Sequence, residues 1–202
     1  MTEKKWQVLE RQPVVTHPAM TLTMEQIRLP DGQVIDDWPM VKGSDYVNVL
    51  VFDTSGLAMV LDTYRHGVGR SSWQILAAEI KDGEAPLEVA QKALERVGMQ
   101  AEDWRYLNTL VIDKDQHVGT HHFFLVLNAK RVLQTGQLDE NRRWIPLNEL
   151  RRALWDGRIG ASSDALAISL GLLALQSKAV PEAVAHITAH QRRIRQGNEY
   201  VD

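Results

Sequence analysis

The stretch of residues 73–99, WQILAAEIKDGEAPLEVAQKALERVGM, constrains the fold more than any other part of the chain. A proline stands in the first turn of a segment whose apolar residues recur at helical spacing, and this pattern predicts a helix over residues 86–96. The apolar positions are Leu87, Ala90 and Leu94. An acidic, glycine-containing segment precedes the helix, and Gly98 follows it. The stretch therefore predicts a loop–helix–loop unit that carries carboxylates.

Strand-like and helix-like segments alternate through the rest of the chain. The β-branched and alternating segments predict strands at residues 7–15, 20–28, 46–52, 57–64, 104–112, 122–128 and 144–146. Helices are predicted at residues 147–155 and 163–178, the latter with Ser162, Ser163 and Asp164 as capping candidates. The Pro30-Asp31-Gly32 segment predicts a turn within a β-meander. Strands interleaved with helices indicate layers of α/β or α+β type.

Residues 73–99 resemble the Nudix box, whose pattern is G-x5-E-x7-R-E-U-x-E-E-x-G-U, with U an aliphatic residue. Glu84 is the correctly spaced first glutamate, whereas Ala78 replaces the first glycine and Lys92 replaces the arginine. Ala93 occupies the position of the first helix glutamate, and Gly98 arrives one residue early. The chain is thus similar to the box but departs from it at several positions.

The resemblance extends over about residues 6–175 and is closest to the ADP-ribose pyrophosphatase branch. It is carried by five segments in the expected order, which are RLPDGQVIDDW, the Tyr64-Arg65-His66 strand end, WQILAAE in place of W-E-L-P-A-G-E, HFFLVL and WIPLNEL. The resemblance implies an α/β (α+β) fold, a Nudix-type α/β/α sandwich with a mixed sheet and an N-terminal β extension. Residues 1–45 are then a β region and candidate dimer arm, 46–178 the Nudix domain, and 179–202 a helical tail.

The resemblance also implies a divalent metal, Mg²⁺ or Mn²⁺. Magnesium prefers near-octahedral oxygen ligands, commonly one or two carboxylates together with substrate phosphates. Without a gap, the three acidic box positions hold Ala93, Arg96 and Val97; with a gap after Leu94 they hold Ala93, Glu95 and Arg96. Because no register keeps more than one carboxylate and Arg96 adds a fixed positive charge, metal binding is expected to be weakened.

The site residues follow from the same resemblance. The carbonyl of Ala77 and the carboxylate of Glu95 are the implied metal ligands, and Glu95 and Glu140 are the implied catalytic groups. The implied substrate-binding residues are Arg65, Glu79, Trp38 and Arg70, with arginines clamping phosphates and Trp38 stacking a base. Each has a simpler reading as a surface charge or as ordinary burial at an interface. Glu84 and Lys92 are read as a structural ion pair of the box.

Composition narrows the classes of function. The net charge of -3 argues against general nucleic-acid binding, and the chain has no cysteine. No segment approaches the length of a bilayer-spanning apolar helix. We therefore expect a soluble cytoplasmic protein. The resemblance, in turn, implies a homodimer with a nucleotide-sugar-like small-molecule partner. Two functions stay open, which are a pyrophosphohydrolase of ADP-ribose-like compounds and a catalytically impaired Nudix-fold protein that binds a nucleotide-like ligand or a protein.

Overall fold

The computed structural model describes residues 5–132 and 141–177. The strands are β1 (Gln7–His17), β2 (Met20–Arg28), β3 (Val34–Gly43), β4 (Asp45–Asp53), β5 (Ala58–Arg65), β6 (Arg70–Gln74), β7 (Leu76–Ile80), β8 (Met99–Gln100), β9 (Asp103–Asp113), β10 (His117–Arg131) and β11 (Arg142–Ile145). The helices are α1 (Pro86–Arg96), α2 (Leu147–Ala153) and α3 (Ser162–Gln176). Within the described residues, none of these helices combines the length and apolar character needed to cross a membrane. The tail predicted at 179–202 lies outside the described residues.

Two compact units divide the chain. The first comprises the described residues of Met1–Asp45 together with Leu110–His121. Its strands β1, β2 and β3 form the predicted antiparallel meander, and two residues of β10 pair in parallel with β3. The predicted turn between β2 and β3 is confirmed, since Gly32 has a φ of 92° and its N–H donates to the carbonyl of Leu29 at 2.9 Å. Glycine suits this turn because a positive φ costs it little.

The first unit exposes an unusual share of large apolar side chains. The exposed ones are Trp6, Val8, Val14, Val15, Met20, Val34, Val111, Ile112 and Val118. Ten of the eleven residues of β1, the terminal strand of the meander, are exposed, and the other, Leu9, is half-buried. A strand edge with apolar neighbours is a surface that favours further pairing.

The second unit comprises the described residues of Tyr46–Thr109 and His122–Asp202 and contains the apolar core. The predicted pair of strands β4 and β5 is joined by the expected turn, in which the Oδ1 of Asp53 accepts the N–H groups of Ser55 and Leu57. Strand β5 also pairs antiparallel with β6 and with β11. The core packs one face of α1 against strand residues such as Val49, Phe124 and Val126.

Helix α1 is confirmed at the residues predicted for it. Its apolar face is buried, and Gly98 ends it with a φ of 71°, donating its N–H to the carbonyl of Glu95 at 2.8 Å. Helices commonly end in this way, because glycine adopts the left-handed backbone conformation at little cost. The residue at the first box glycine, Ala78, lies in strand β7 rather than in a turn with positive φ.

The predicted cap of α3 was wrong. The helix begins at Ser162 after Ala161, and no side chain donates to or accepts from the cap position. Asp164 instead bonds to a backbone amide far away in the sequence. The carboxylate that local spacing assigned to the helix cap therefore forms a tertiary contact instead.

Candidate functional site

Helix α1 separates an apolar face from a charged one. Its buried residues are Pro86, Val89, Ala90, Ala93 and Leu94, and its exposed residues are Glu88, Gln91, Lys92, Glu95 and Arg96. Ala93 is only 3 % exposed and belongs to the apolar core. Two residues correspond to a rotation of about 200° around an α-helix. Since α1 is uninterrupted, Ala93 and Glu95 point to nearly opposite sides of it.

The donor groups that the structure describes do not fit the implied magnesium. No three Asp, Glu, His or Cys side chains in residues 5–132 and 141–177 lie close enough together to hold a metal ion. The exposed face of α1 offers Glu88 and Glu95, but it also carries the cations Lys92 and Arg96, which repel a divalent cation. Ala77 is exposed on β7, and Glu140 lies outside the described residues. No catalytic step can be assigned to a metal held by these residues.

The box pair joins Glu84, in the loop before α1, to Lys92, in the second half of that helix. The Nζ of Lys92 is 3.7 Å from Oε1 of Glu84, and both side chains are partly exposed. Glu84 also accepts the N–H of Lys81 through Oε2 at 3.1 Å. An exposed ion pair contributes less than about 1 kcal/mol, so these contacts chiefly fix the loop that precedes the helix.

Arg65 and Arg70 face each other at the end of the β5–β6 hairpin. They are direct partners in the antiparallel register. Arg70 donates to the carbonyls of Gly157, at 2.6 Å, and Ser71, at 3.1 Å, while the Nε of Arg65 donates to Oε1 of Gln74. Among the described residues, neither arginine forms an ion pair with a carboxylate, and none links Arg65 to Glu79. Like charges directly opposite each other repel, and an anion bound between them would relieve that repulsion.

Gln74 is a site residue that the sequence analysis missed. Its side chain is 5 % exposed, and its Nε2 donates to the carbonyl of Thr63 at 3.2 Å while Oε1 holds Arg65. It stands at the glutamate of the W-E-L-P segment, so the comparison of WQIL with that segment was the available signal. A neutral amide here orients the guanidinium of Arg65 without neutralising it.

Asp164 is the second residue that was missed as part of the site. It is 5 % exposed, and its Oδ1 accepts the N–H of Ile75, the residue between β6 and β7, at 3.2 Å. Burial raises the pKa of its carboxyl to about 6, although the Ile75 N–H and the charge of Arg65 act in the opposite direction. A lone carboxylate in the first turn of an otherwise apolar helix was the sequence signal.

Two hydroxyl groups beside this network are buried without a partner. Thr63 and Ser72 are cross-strand neighbours, and in the described part of the chain neither Thr63 Oγ1 nor Ser72 Oγ has a hydrogen-bond partner. Ser72 is 2 % exposed and lies against Gly160, where an added Cβ would stand 3.1 Å from its Oγ. A buried hydroxyl of this kind loses its hydrogen bonds to water and gains none in the protein, which lowers the stability of the folded state.

We expect Ser72→Ala to leave the free energy of unfolding unchanged or to raise it by up to about 1 kcal/mol, because the hydroxyl that it removes is unsatisfied. Urea unfolding measures this difference. Thr109→Val is the matched control, since the Oγ1 of Thr109 bonds to Tyr106 at 2.8 Å and to His122 at 2.7 Å. A loss of stability in Ser72→Ala as large as in Thr109→Val would contradict the expectation.

Trp38 lies in the first unit and lines a cavity of about 310 Å³. Its Nε1 donates to the carbonyl of Asp115 at 3.2 Å, and its ring meets Trp6 edge-to-face with 5.3 Å between centroids. The floor includes Glu25, which is buried and accepts Arg11 Nε at 2.8 Å. The cavity thus offers the aromatic face of Trp38, whose orientation is held by a hydrogen bond.

Glu95 lines a separate cavity in the second unit. This cavity has a volume of about 770 Å³, and its lining includes Gln91, Gln100, Lys130 and Arg131. None of the other implied ligands or substrate-binding residues lines it. Among the described residues, the structure therefore brings Arg65 and Arg70 together and places Glu95 elsewhere on the unit.

Comparison with known proteins gives distant relatives. No family model matches the chain. It is 27 % identical over 169 residues to an ADP-ribose pyrophosphatase of Mycobacterium tuberculosis (strain ATCC 25618 / H37Rv), covering 79 % of each chain. It is 24 % identical over 159 residues to a CMP-5'-(N-acetyl-N-hydroxy-3-aminopropyl)phosphonate hydrolase of Streptomyces rubellomurinus (strain ATCC 31215), covering 77 % of this chain and 75 % of that one.

A solved structure shows the fold. The crystal structure of an ADP compounds hydrolase matches with a TM-score of 0.72 and 16 % identity, covering 89 % of this chain and 98 % of the other. The expected α+β fold of Nudix type, with a mixed sheet, is confirmed by this match. The chain is thus a distant relative of nucleotide hydrolases that include an ADP-ribose pyrophosphatase, and it has the fold of a Nudix-like hydrolase.

Proposed function

We propose that this protein is a Nudix-family member that binds a nucleoside diphosphate sugar of the ADP-ribose type and whose metal-dependent hydrolysis is greatly reduced. The facing arginines Arg65 and Arg70 carry the proposal, because no described carboxylate pairs with them. The position of Ala93 supports the proposed reduction in metal-dependent hydrolysis, since a core alanine stands where the family pattern has an acid.

The diphosphate is the part of the ligand that the arginines suit. The Nη atoms of Arg65 make no hydrogen bond within the described residues, so they present a fork to two phosphate oxygens. Arg70 adds charge while its bonds to Ser71 and Gly157 hold it in place. We propose that Glu79, which is exposed on β7, contacts the polar part of the ligand.

Base recognition and assembly are assigned to the first unit. We propose that Trp38, fixed by its bond to Asp115, stacks a purine base. The exposed apolar residues of this unit suit a second copy of the chain, and we propose a homodimer that covers them.

We expect Arg65→Gln to weaken ADP-ribose binding by roughly ten- to a hundredfold, because a charge-assisted bidentate contact is lost. Isothermal titration in EDTA measures the affinity without metal. Arg151→Gln is the matched control, since Arg151 is an exposed arginine on α2 in the same unit and loses the same charge. Equal affinities of the two variants would refute the role of Arg65.

A second candidate function keeps hydrolysis. It is supported by the ADP-ribose pyrophosphatase relative, which aligns over 79 % of both chains. In this version the residues that the resemblance implies, Ala77, Glu95 and Glu140, would act on the substrate together with Mg²⁺ or Mn²⁺, although the described donors form no metal site. Titration of each metal with and without ADP-ribose, followed by chromatographic detection of AMP, separates the two candidates. The hydrolase is established if metal binding is saturable and Glu95→Gln abolishes both metal binding and turnover. The binding protein is established if the ligand binds without metal binding and without turnover.

A further inference from the structure

The corner between β6 and β7 joins a buried carboxylate to the arginine of the proposed site. Asp164 on α3 accepts the N–H of Ile75 at this corner. The preceding residue, Gln74, holds the Nε of Arg65 through its side-chain oxygen. Asp164 and Arg65 thus bind two adjacent residues of one short connection.

The charges of Asp164 and Arg65 also act on each other directly. The positive charge of Arg65 lowers the pKa of the Asp164 carboxyl against the larger opposing effect of burial. The interaction is mutual, so the carboxylate lowers the positive potential at Arg65 to the same extent. Gln74 contributes no charge of its own. Asp164 forms no hydrogen bond with Arg65 in the described part of the chain, so its charge acts on that arginine from a distance.

We propose that Asp164 is a positioning residue that sets how strongly Arg65 binds an anionic ligand, by holding the β6–β7 corner and by partly offsetting the charge of the guanidinium. The ligand class is a diphosphate, and the inference rests on the proposed function. Two consequences follow from this arrangement. Removal of the carboxylate charge strengthens anion binding, and the gain disappears when Arg65 is absent.

The experiment is a double-mutant cycle with inorganic pyrophosphate and ADP-ribose as probes, titrated in EDTA at low salt. Asp164→Asn removes the charge and keeps a side-chain oxygen that can accept the N–H of Ile75. We expect it to tighten binding by roughly three- to tenfold, because a partly screened unit charge is removed near the ligand. In the Arg65→Gln background the same substitution is expected to change the affinity less than about 1.5-fold.

Two further variants keep the test interpretable. Glu102→Gln removes an exposed carboxylate of the same unit and is expected to leave the affinity unchanged, which controls for net charge. Asp164→Ser is a second neutral variant with an oxygen acceptor, and it is used if Asp164→Asn does not give a cooperative thermal transition. It is expected to tighten binding in the same direction.

The outcomes distinguish this inference from the function on which it rests. If the unmodified protein binds both probes but Asp164→Asn and Asp164→Ser bind no more tightly, the proposed role of Asp164 is wrong and the binding function stands. An equal gain with and without Arg65 also overturns it, because the carboxylate then acts on the ligand independently of that arginine. If the unmodified protein binds neither probe, both proposals fail.

Discussion

Replacing Ala93 with glutamate is expected to destabilise the protein by about 3 kcal/mol or more and not to create a magnesium site. Ala93 is 3 % exposed and packs in the apolar cluster with Val89, Ala90 and Leu94. A carboxylate placed there loses its hydration, and no described cation lies within that cluster to pair with it. Removing a charge from water without a partner is one of the few ways in which a single substitution has so large an effect.

Thermal unfolding with and without Mg²⁺ measures the effect. For a chain of this size, about 3 kcal/mol corresponds to a fall in Tm of roughly 6–12 °C. Gln91→Glu is the matched control, because it adds the same carboxylate to an exposed position two residues earlier in α1, and its Tm is expected to stay within about 2 °C of the original. A stable Ala93→Glu variant whose Tm rises with Mg²⁺ would show that position 93 opens onto a metal site.

The fold was largely predictable where the signal is local. The bounds of α1 agree with the prediction because a first-turn proline, a regular apolar face and a terminal glycine all act within one segment. Strands β6 and β7 were not predicted, since the WQILAAE segment was interpreted through its similarity to a motif. Their pairing with β5 and β4 depends on residues distant in sequence. Local patterns carry no information about such partners.

The site was predictable only in its charged residues. Arg65 and Arg70 could be selected from the sequence because guanidinium groups suit phosphates. Their neutral and buried partners could not be, since Gln74 has no charge pattern and Asp164 meets Ile75 across 89 residues of sequence. Similarity to the box likewise predicted that position 93 faces a metal, whereas the apolar packing around Ala93 is a tertiary property.

The stability of the protein is expected to fall by about 2 kcal/mol between pH 4 and pH 7 through Asp164 alone. In the unfolded chain its carboxyl has the ordinary pKa of 3.8, whereas burial raises the folded value to about 6. The folded state therefore binds the proton more tightly. The stability that this proton contributes is fully present below pH 3.8 and is lost as the pH rises through 6.

Urea unfolding of the original protein and of Asp164→Asn at pH 4, 5, 6 and 7 isolates this contribution, because every other titrating group is common to both proteins. The stability of the variant relative to the original is expected to rise steadily across this range and to level off near pH 7. A difference that stays constant with pH would show that the carboxyl titrates alike in the folded and unfolded states. Buried acids with strongly shifted pKa values, such as Asp164 beside Arg65, cluster at functional sites. The same substitution that stabilises the protein at pH 7 should therefore also alter its affinity for anions.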